Sequence, residues 1–191
     1  MDSKQKSRPV NYAFIDNQNL NLGIQKLGWK MNWRKFREFL GDEHNVQKAY
    51  MFIGYMPNYE DLYTQMHDLG YLVVLKPTLE MYNAPVDGAP PKPELSAEAQ
   101  EKKPPVKGNV DAELVLYAVK ELANYDKAII VSGDGDFYSL VEYLSEQGKL
   151  ACLMAPNRQY SSLLKPYESS IIRLDQSKRQ LSYHDKHGPK R

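Results

Sequence analysis

The stretch AIIVSGDGDFYSLVEYLSEQGKLACLM, residues 128–154, decides the fold. Its opening run, Ala128–Val131, is short, apolar and β-branched, which reads as a buried strand. Residues 132–136, Ser-Gly-Asp-Gly-Asp, break that run. Phe137–Glu146 then follows helical spacing, and Gly148 stands where a helix-ending glycine belongs. Leu150–Met154 is apolar again. Strand, helix and strand in so short a span form a βαβ unit, whose strands run parallel.

The same rhythm extends in both directions. Val10–Ile15, Val46–Ile53 and Tyr71–Leu75 read as strands. Leu20–Leu27 and Trp33–Leu40 read as helices, the second entered through Asn32 as its N-cap. Tyr59–Leu69 reads as a helix closed by Gly70, with Tyr59 and Tyr63 packing on its apolar face. Val110–Ala123 is a further helix. Ser161–Leu164 is a helical turn, and Ser170–Leu174 a last short strand. Nearly continuous apolar strands separated by helices predict an α/β fold. Its expected form is a three-layer, Rossmann-like arrangement: a mainly parallel sheet of about five to six strands, covered on both faces.

Residues 76–106 break the rhythm. They hold Pro77, Pro85, Pro90, Pro91, Pro93, Pro104 and Pro105, which exclude a core helix or central strand there. A linker and a substrate-facing flap both fit, and Thr78–Tyr82 first suits a short edge strand. The organisation expected is a basic segment over 1–9, one domain over 10–174 and a basic segment over 175–191.

Composition bounds the function. The chain has 191 residues, 26% of them charged, and a net charge of +1. Lys4, Lys6 and Arg8 lie near one end, and Lys178, Arg179, Lys186, Lys190 and Arg191 near the other, so the body between is acidic. Such basic ends serve solubility or an approach to nucleic acid. A mean hydropathy of −0.62 and no long apolar run argue against a membrane-spanning helix. The opening residues show no secretory pattern, so a cytoplasmic location is expected. The single cysteine, Cys152, excludes an intramolecular disulfide or a Cys-based zinc cluster, and its apolar strand makes it inert core.

Ligands in open α/β sheets bind beyond the C-terminal strand ends. Asp16-Asn17-Gln18-Asn19 follows the first strand there. Ser132-Gly133-Asp134-Gly135-Asp136 follows the fourth. Lys107-Gly108-Asn109-Val110-Asp111 opens the helix before it. Each acid has a plain local use. Asp16 and Asp136 suit helix N-caps, and Asp111 suits a first turn, where the helix dipole favours an acid. Asp134, flanked by two glycines that permit a tight turn, is harder to assign locally. Capping does not require acids at several strand ends at once. Gathered carboxylates repel one another, and a divalent cation relieves that repulsion. Oxygen-only donors suit Mg²⁺ or Mn²⁺, which activates water and stabilises a phosphoryl transition state. Asn19 would then orient water or phosphate, and Lys107 would neutralise phosphate, although solvation serves that lysine equally well.

Other chemistries lack their residues. There is no GxxxxGK[ST] and no GxGxxG, and Ser132 has no histidine at a motif position.

Three stretches together resemble the NYN family, also called LabA-like, of the PIN-like nuclease superfamily. They are FIDNQNL at 14–20, KGNVDAELVLYAV at 107–119 and AIIVSGDGDFYSLVEYLSEQGK at 128–149. The resemblance spans most of 10–155 and implies a PIN-like fold with metal-dependent RNA cleavage. Carried over by position, Asp16, Asp111 and Asp134 are the metal-binding acids, with Asp136 supporting and Asn19 their polar partner. Asn17, Lys107 and Ser132 are expected to contact substrate. The resemblance also implies single-stranded RNA as partner and leaves homodimerisation open. Many relatives carry a further acid where this chain has Tyr117, and Glu113 points to another helix face. Tyr12, Tyr55, Tyr82, Tyr138 and Tyr160 are candidates for stacking unpaired bases. The alternatives are an RNA-binding or protein-interaction module that keeps the acidic pocket, and a hydrolase of DNA or small nucleotides.

Overall fold

A computed structural model describes residues 9–55, 59–76 and 110–183. Six strands form one sheet: β1 (Asn11–Asp16), β2 (Val46–Gly54), β3 (Tyr71–Lys76), β4 (Lys127–Val131), β5 (Leu150–Ala155) and β6 (Ile171–Arg173). Their order is β3-β2-β1-β4-β5-β6, and every neighbouring pair is parallel. All six residues of β1 are buried, as a strand covered on both faces requires.

Alternation along the strands divides the core in two. Ala13, Ile15, Met51 and Ile129 face one layer, with α1 (Asn17–Gln25), α2 (Trp33–Asp42) and α3 (Glu60–Asp68) packed on it through Ile24, Phe36 and Met66. Phe14, Phe52 and Ile130 face the other. There α4 (Asp111–Lys120) and α5 (Tyr138–Glu146) contribute Leu114, Ala118, Val141 and Leu144. The expected three-layer α/β fold is the one observed.

Local signals account for several boundaries. The Asn32 side chain accepts from the Lys35 amide at 3.1 Å and opens α2. Gly70 and Gly148 follow α3 and α5 at φ +86° and +62°, left-handed backbone that disfavours a side chain. Cys152 is buried in β5, and burial pushes its thiol up to about 12.

Other boundaries differ from expectation. Helix α1 begins at Asn17 rather than Leu20, because Asp16 ends the strand and caps the helix in one step. Helix α4 stops at Lys120 rather than Ala123. The turn expected at 161–164 is a 3-10 run over Ser162–Ser170. The segment expected to open a basic tail folds instead. Leu174–Ser177 makes a 3-10 turn and α6 (Lys178–Leu181) follows, with Leu181 fully buried and its carbonyl accepting from the Asn32 amide. Burial of Leu181, with hydrogen bonds to it and its neighbours from Asn32 and Lys35 and to Glu43, holds that basic sequence against α2. The proline-rich stretch beyond Lys76, including the edge strand expected at 78–82, lies outside the described residues.

Candidate active site

The site begins with strand register. Ile15 pairs with Val131 across β1 and β4, so Asp16, the last residue of β1, and Ser132, the first beyond β4, come side by side. Two side branches of the chain start there, α1 on one face and the 132–137 turn on the other. This is the switch point of the strand order, where open α/β sheets bind ligands.

Hydrogen bonds lock the two strand ends together. Asp16 Oδ1 accepts from the Asn19 amide at 3.0 Å, and Asp16 Oδ2 accepts from Ser132 Oγ at 3.1 Å. Ser132 Oγ in turn accepts from the Asp134 amide at 3.1 Å. The Gly133 amide donates to Asn19 Oδ1 at 2.9 Å, which commits that oxygen and leaves the N–H donors of the Asn19 carboxamide for other partners. Asp134 Oδ1 accepts from the Asp136 amide at 3.1 Å.

Asp16 is 5% exposed, and its pKa lies above the ordinary carboxylate range. Burial is the main cause. The Asn19 amide and the Ser132 hydroxyl pull it back, while the charges of Asp111 and Asp134 push it further up. The charges of Asp111 and Asp134, from two other chain segments, therefore reach Asp16 at the end of β1. Among the described residues, no three carboxylate, histidine or cysteine side chains stand close enough to enclose one ion. The donor set still fits a hard divalent cation that keeps most of its water. Such an ion commonly takes one or two carboxylates, and it would offset the smaller upward push that Asp111 and Asp134 add to burial at Asp16.

The predicted residues divide by placement. Asp16, Asp134, Asn19 and Ser132 share one hydrogen-bond network, with Asp111 within electrostatic reach. Ser132, expected to contact substrate, is only 1% exposed and instead orients Asp16. Asp136 does not cap the following helix. It lies exposed in a 3-10 turn, Gly135–Phe137, that Asp134 caps, and α5 starts after Phe137 without a side-chain cap. Asn17 opens α1, half-buried. Lys107 lies outside the described residues.

The two glycines of this turn serve packing rather than backbone freedom, since neither has a positive φ. A Cβ on Gly133 would press on Tyr160, and one on Gly135 would collide with Ser161. Tyr117, standing where many relatives have an acid, packs its ring edge-on against Tyr50 and Phe52, 5.6 Å from each. Glu113 is drawn to Lys76 at 3.3 Å. Of the tyrosines, Tyr12 is buried toward the opposite strand ends, against Tyr50 and Tyr125. Tyr55 bonds Glu60. Tyr138 and Tyr160 lie beside the acid turn, half-buried and bonded to Glu142 and Glu168. Tyr82 is outside the described residues.

Sequence reading missed Asn157. It follows β5, is 6% exposed, and ties the neighbouring loop to α1 by donating to the Gly23 carbonyl at 2.8 Å. Its position after an apolar strand, beside Pro156, is the signal that was available.

The comparisons agree with this fold. The chain is 25% identical over 142 residues to the low amplitude and bright protein LabA of Synechococcus elongatus, covering 72% of this chain and 69% of that one. A solved structure of a Vibrio parahaemolyticus protein of unknown function aligns with a TM-score of 0.69 at 20% identity, over 96% of this chain and all of that one, which establishes likeness of fold. Residues 12–175, nearly all of the sheet and both helical layers, match the NYN domain, and the chain belongs to that family.

Proposed function

We propose that this chain is a Mg²⁺- or Mn²⁺-dependent ribonuclease acting on single-stranded or flexible RNA. NYN domains are nuclease-like, PIN-like domains, and that kinship supports nuclease chemistry. The observation that carries the reading is Asp16: a buried carboxylate, held by an amide and a hydroxyl, with two further carboxylates raising its pKa.

Asp16 and Asp134 would hold the ion, with Asp111 in support and Asp136 at the exposed rim. When bound, such an ion supplies an acidified water and positive charge against the phosphate. The chain's own residues set the geometry. The Asn19 amide and Ser132 Oγ fix the Asp16 carboxylate, and the Asp136 amide fixes Asp134. The remaining N–H donors of Asn19 hold a water or a phosphate oxygen. Tyr138 and Tyr160 offer rings beside the turn for unpaired bases. Attack by water on phosphorus leaves a 5′-phosphate and a 3′-hydroxyl. The test is cleavage of end-labelled single-stranded RNA with Mn²⁺, Mg²⁺ or EDTA, using wild type and Asp134→Asn. Metal-dependent fragments that vanish in the variant support the reading, and equal cutting by both proteins overturns it.

One observation favours a second reading, a non-catalytic RNA-binding or protein-interaction module. Tyr117 is built into an aromatic cluster rather than the acid group. A gel shift without fragments, together with weak Mn²⁺ binding, would select it. A cytoplasmic location is part of the proposal. Among the described residues no helix is long and apolar enough to cross a membrane.

A further inference from the structure

A cleft of about 160 Å³ opens beside the acids. Asn19, Leu22, Gly23 and Lys26 line one wall, and Pro156 and Gln159 line the other. Asn19, Leu22 and Gly23 of α1 and Lys26 at its C-cap follow i, i+3, i+4 and i+7 spacing, so they lie along one face of the helix and its cap. Seven residues at about 1.5 Å each place Lys26 about 10 Å along the helix from Asn19. One end of the cleft therefore meets the acid network through Asn19, and the other ends on a cation.

The walls are fixed in place. A Cβ on Gly23 would stand 2.5 Å from Pro156 Cβ, so only glycine allows this approach of helix and loop. Asn157 donates to the Gly23 carbonyl and accepts from the Gln159 amide at 2.7 Å, which sets the loop. The amide of Gly133, also in the lining, holds Asn19.

The lining also has a chemical character. It contains no carboxylate, although the acids adjoin it. Leu22 and Pro156 supply apolar surface. Gln159 supplies a donor and an acceptor, and Asn19 supplies donors. Lys26 has no carboxylate within ion-pair distance among the described residues. The volume is well below the roughly 300 Å³ at which pockets for drug-sized ligands begin, and equals about five waters at roughly 30 Å³ each. It suits one flat polar group with a negative charge near its far end.

We infer that this cleft is a subsite for the nucleotide next to the scissile phosphate. Its base lies between Leu22 and Pro156 with its edge on Gln159, and its phosphate rests on Lys26. The inference rests on the nuclease reading for its place in the reaction. It explains how a polyanion approaches an acidic centre: the strand is held by a cation on the side away from the carboxylates.

The test needs neither metal nor cleavage. Each of the four ribonucleoside 5′-monophosphates, the four nucleosides and inorganic phosphate is titrated in EDTA into ¹⁵N-labelled protein. The amide signals of Gly23, Gly133 and Gln159 are followed. At least one monophosphate should shift these signals saturably, more tightly than its nucleoside. Lys26→Ala should weaken it about tenfold, the worth of one charge-assisted hydrogen bond. Gln159→Ala should weaken nucleoside and monophosphate alike. Both side chains are exposed, so both variants should fold. The inference is overturned if no monophosphate shifts these signals, if inorganic phosphate binds as tightly as the monophosphates, or if both variants bind like wild type. Binding here without RNA cleavage would strike the proposed activity alone.

Discussion

Two groups of acids in this chain are handled in opposite ways. At the β5–β6 side, Asp175 meets Arg173 through two hydrogen bonds, at 2.7 and 3.1 Å. Glu113 meets Lys76, and Glu121 meets Lys48. At the β1–β4 strand ends, Asp16 is held by an amide and a hydroxyl, and the charges acting on it are those of Asp111 and Asp134. The first arrangement is finished when the chain folds. The second brings the charges of Asp111 and Asp134 to bear on a buried carboxylate, and they raise its pKa beyond what burial alone does. The proposed divalent cation would act on the second arrangement and leave the first untouched.

The largest effect expected from breaking this contrast is on catalysis. Asp134→Asn keeps the shape and the bond from the Asp136 amide while removing one charge, and should lower RNA cleavage at least about a hundredfold. Single-turnover cleavage of end-labelled RNA measures it. The next effect is on stability and has an unusual sign. A carboxylate whose pKa is raised by folding favours the protonated native state. Its contribution is present below the unfolded value near 3.8 and is lost as pH rises through the folded value. Without metal, Asp16→Asn should therefore be more stable than wild type at neutral pH, and the gain should vanish in strong acid. Urea denaturation across that pH range reads both. At the other site the expected effect is that of a simple ion pair. Arg173→Ala leaves Asp175 without its partner and should cost a little stability, less so in high salt, which the same titration detects.

Much of the fold was legible because its causes are local. Apolar runs gave the six strands near their observed bounds, and Asn32, Gly70 and Gly148 marked helix ends by chemistry that acts within one turn. The sequence positions of Asp16 and Asp134 beyond β1 and β4 were legible because parallel topology brings strand ends to one edge. What escaped depends on contacts between distant segments. Ser132 looked like a substrate contact until register placed it under Asp16. Asp136 looked like a cap, but Asp134 reaches that turn first. Gly23 carries no turn signal, because its reason is the approach of Pro156, far along the chain. Tyr12 looked like a base-stacking candidate, yet it lies toward the opposite strand ends, packed with Tyr50 and Tyr125.

The most direct test of the central claim is a thermal melt of wild type and Asp16→Asn at neutral pH, in EDTA and then in Mn²⁺. The account predicts a crossing. Asp16→Asn melts higher in EDTA, while wild type melts higher once Mn²⁺ is present, gaining about 2.7 kcal/mol at a hundred times its dissociation constant. If Mn²⁺ shifts both proteins equally, or neither, the carboxylates at the strand ends do not form a metal site.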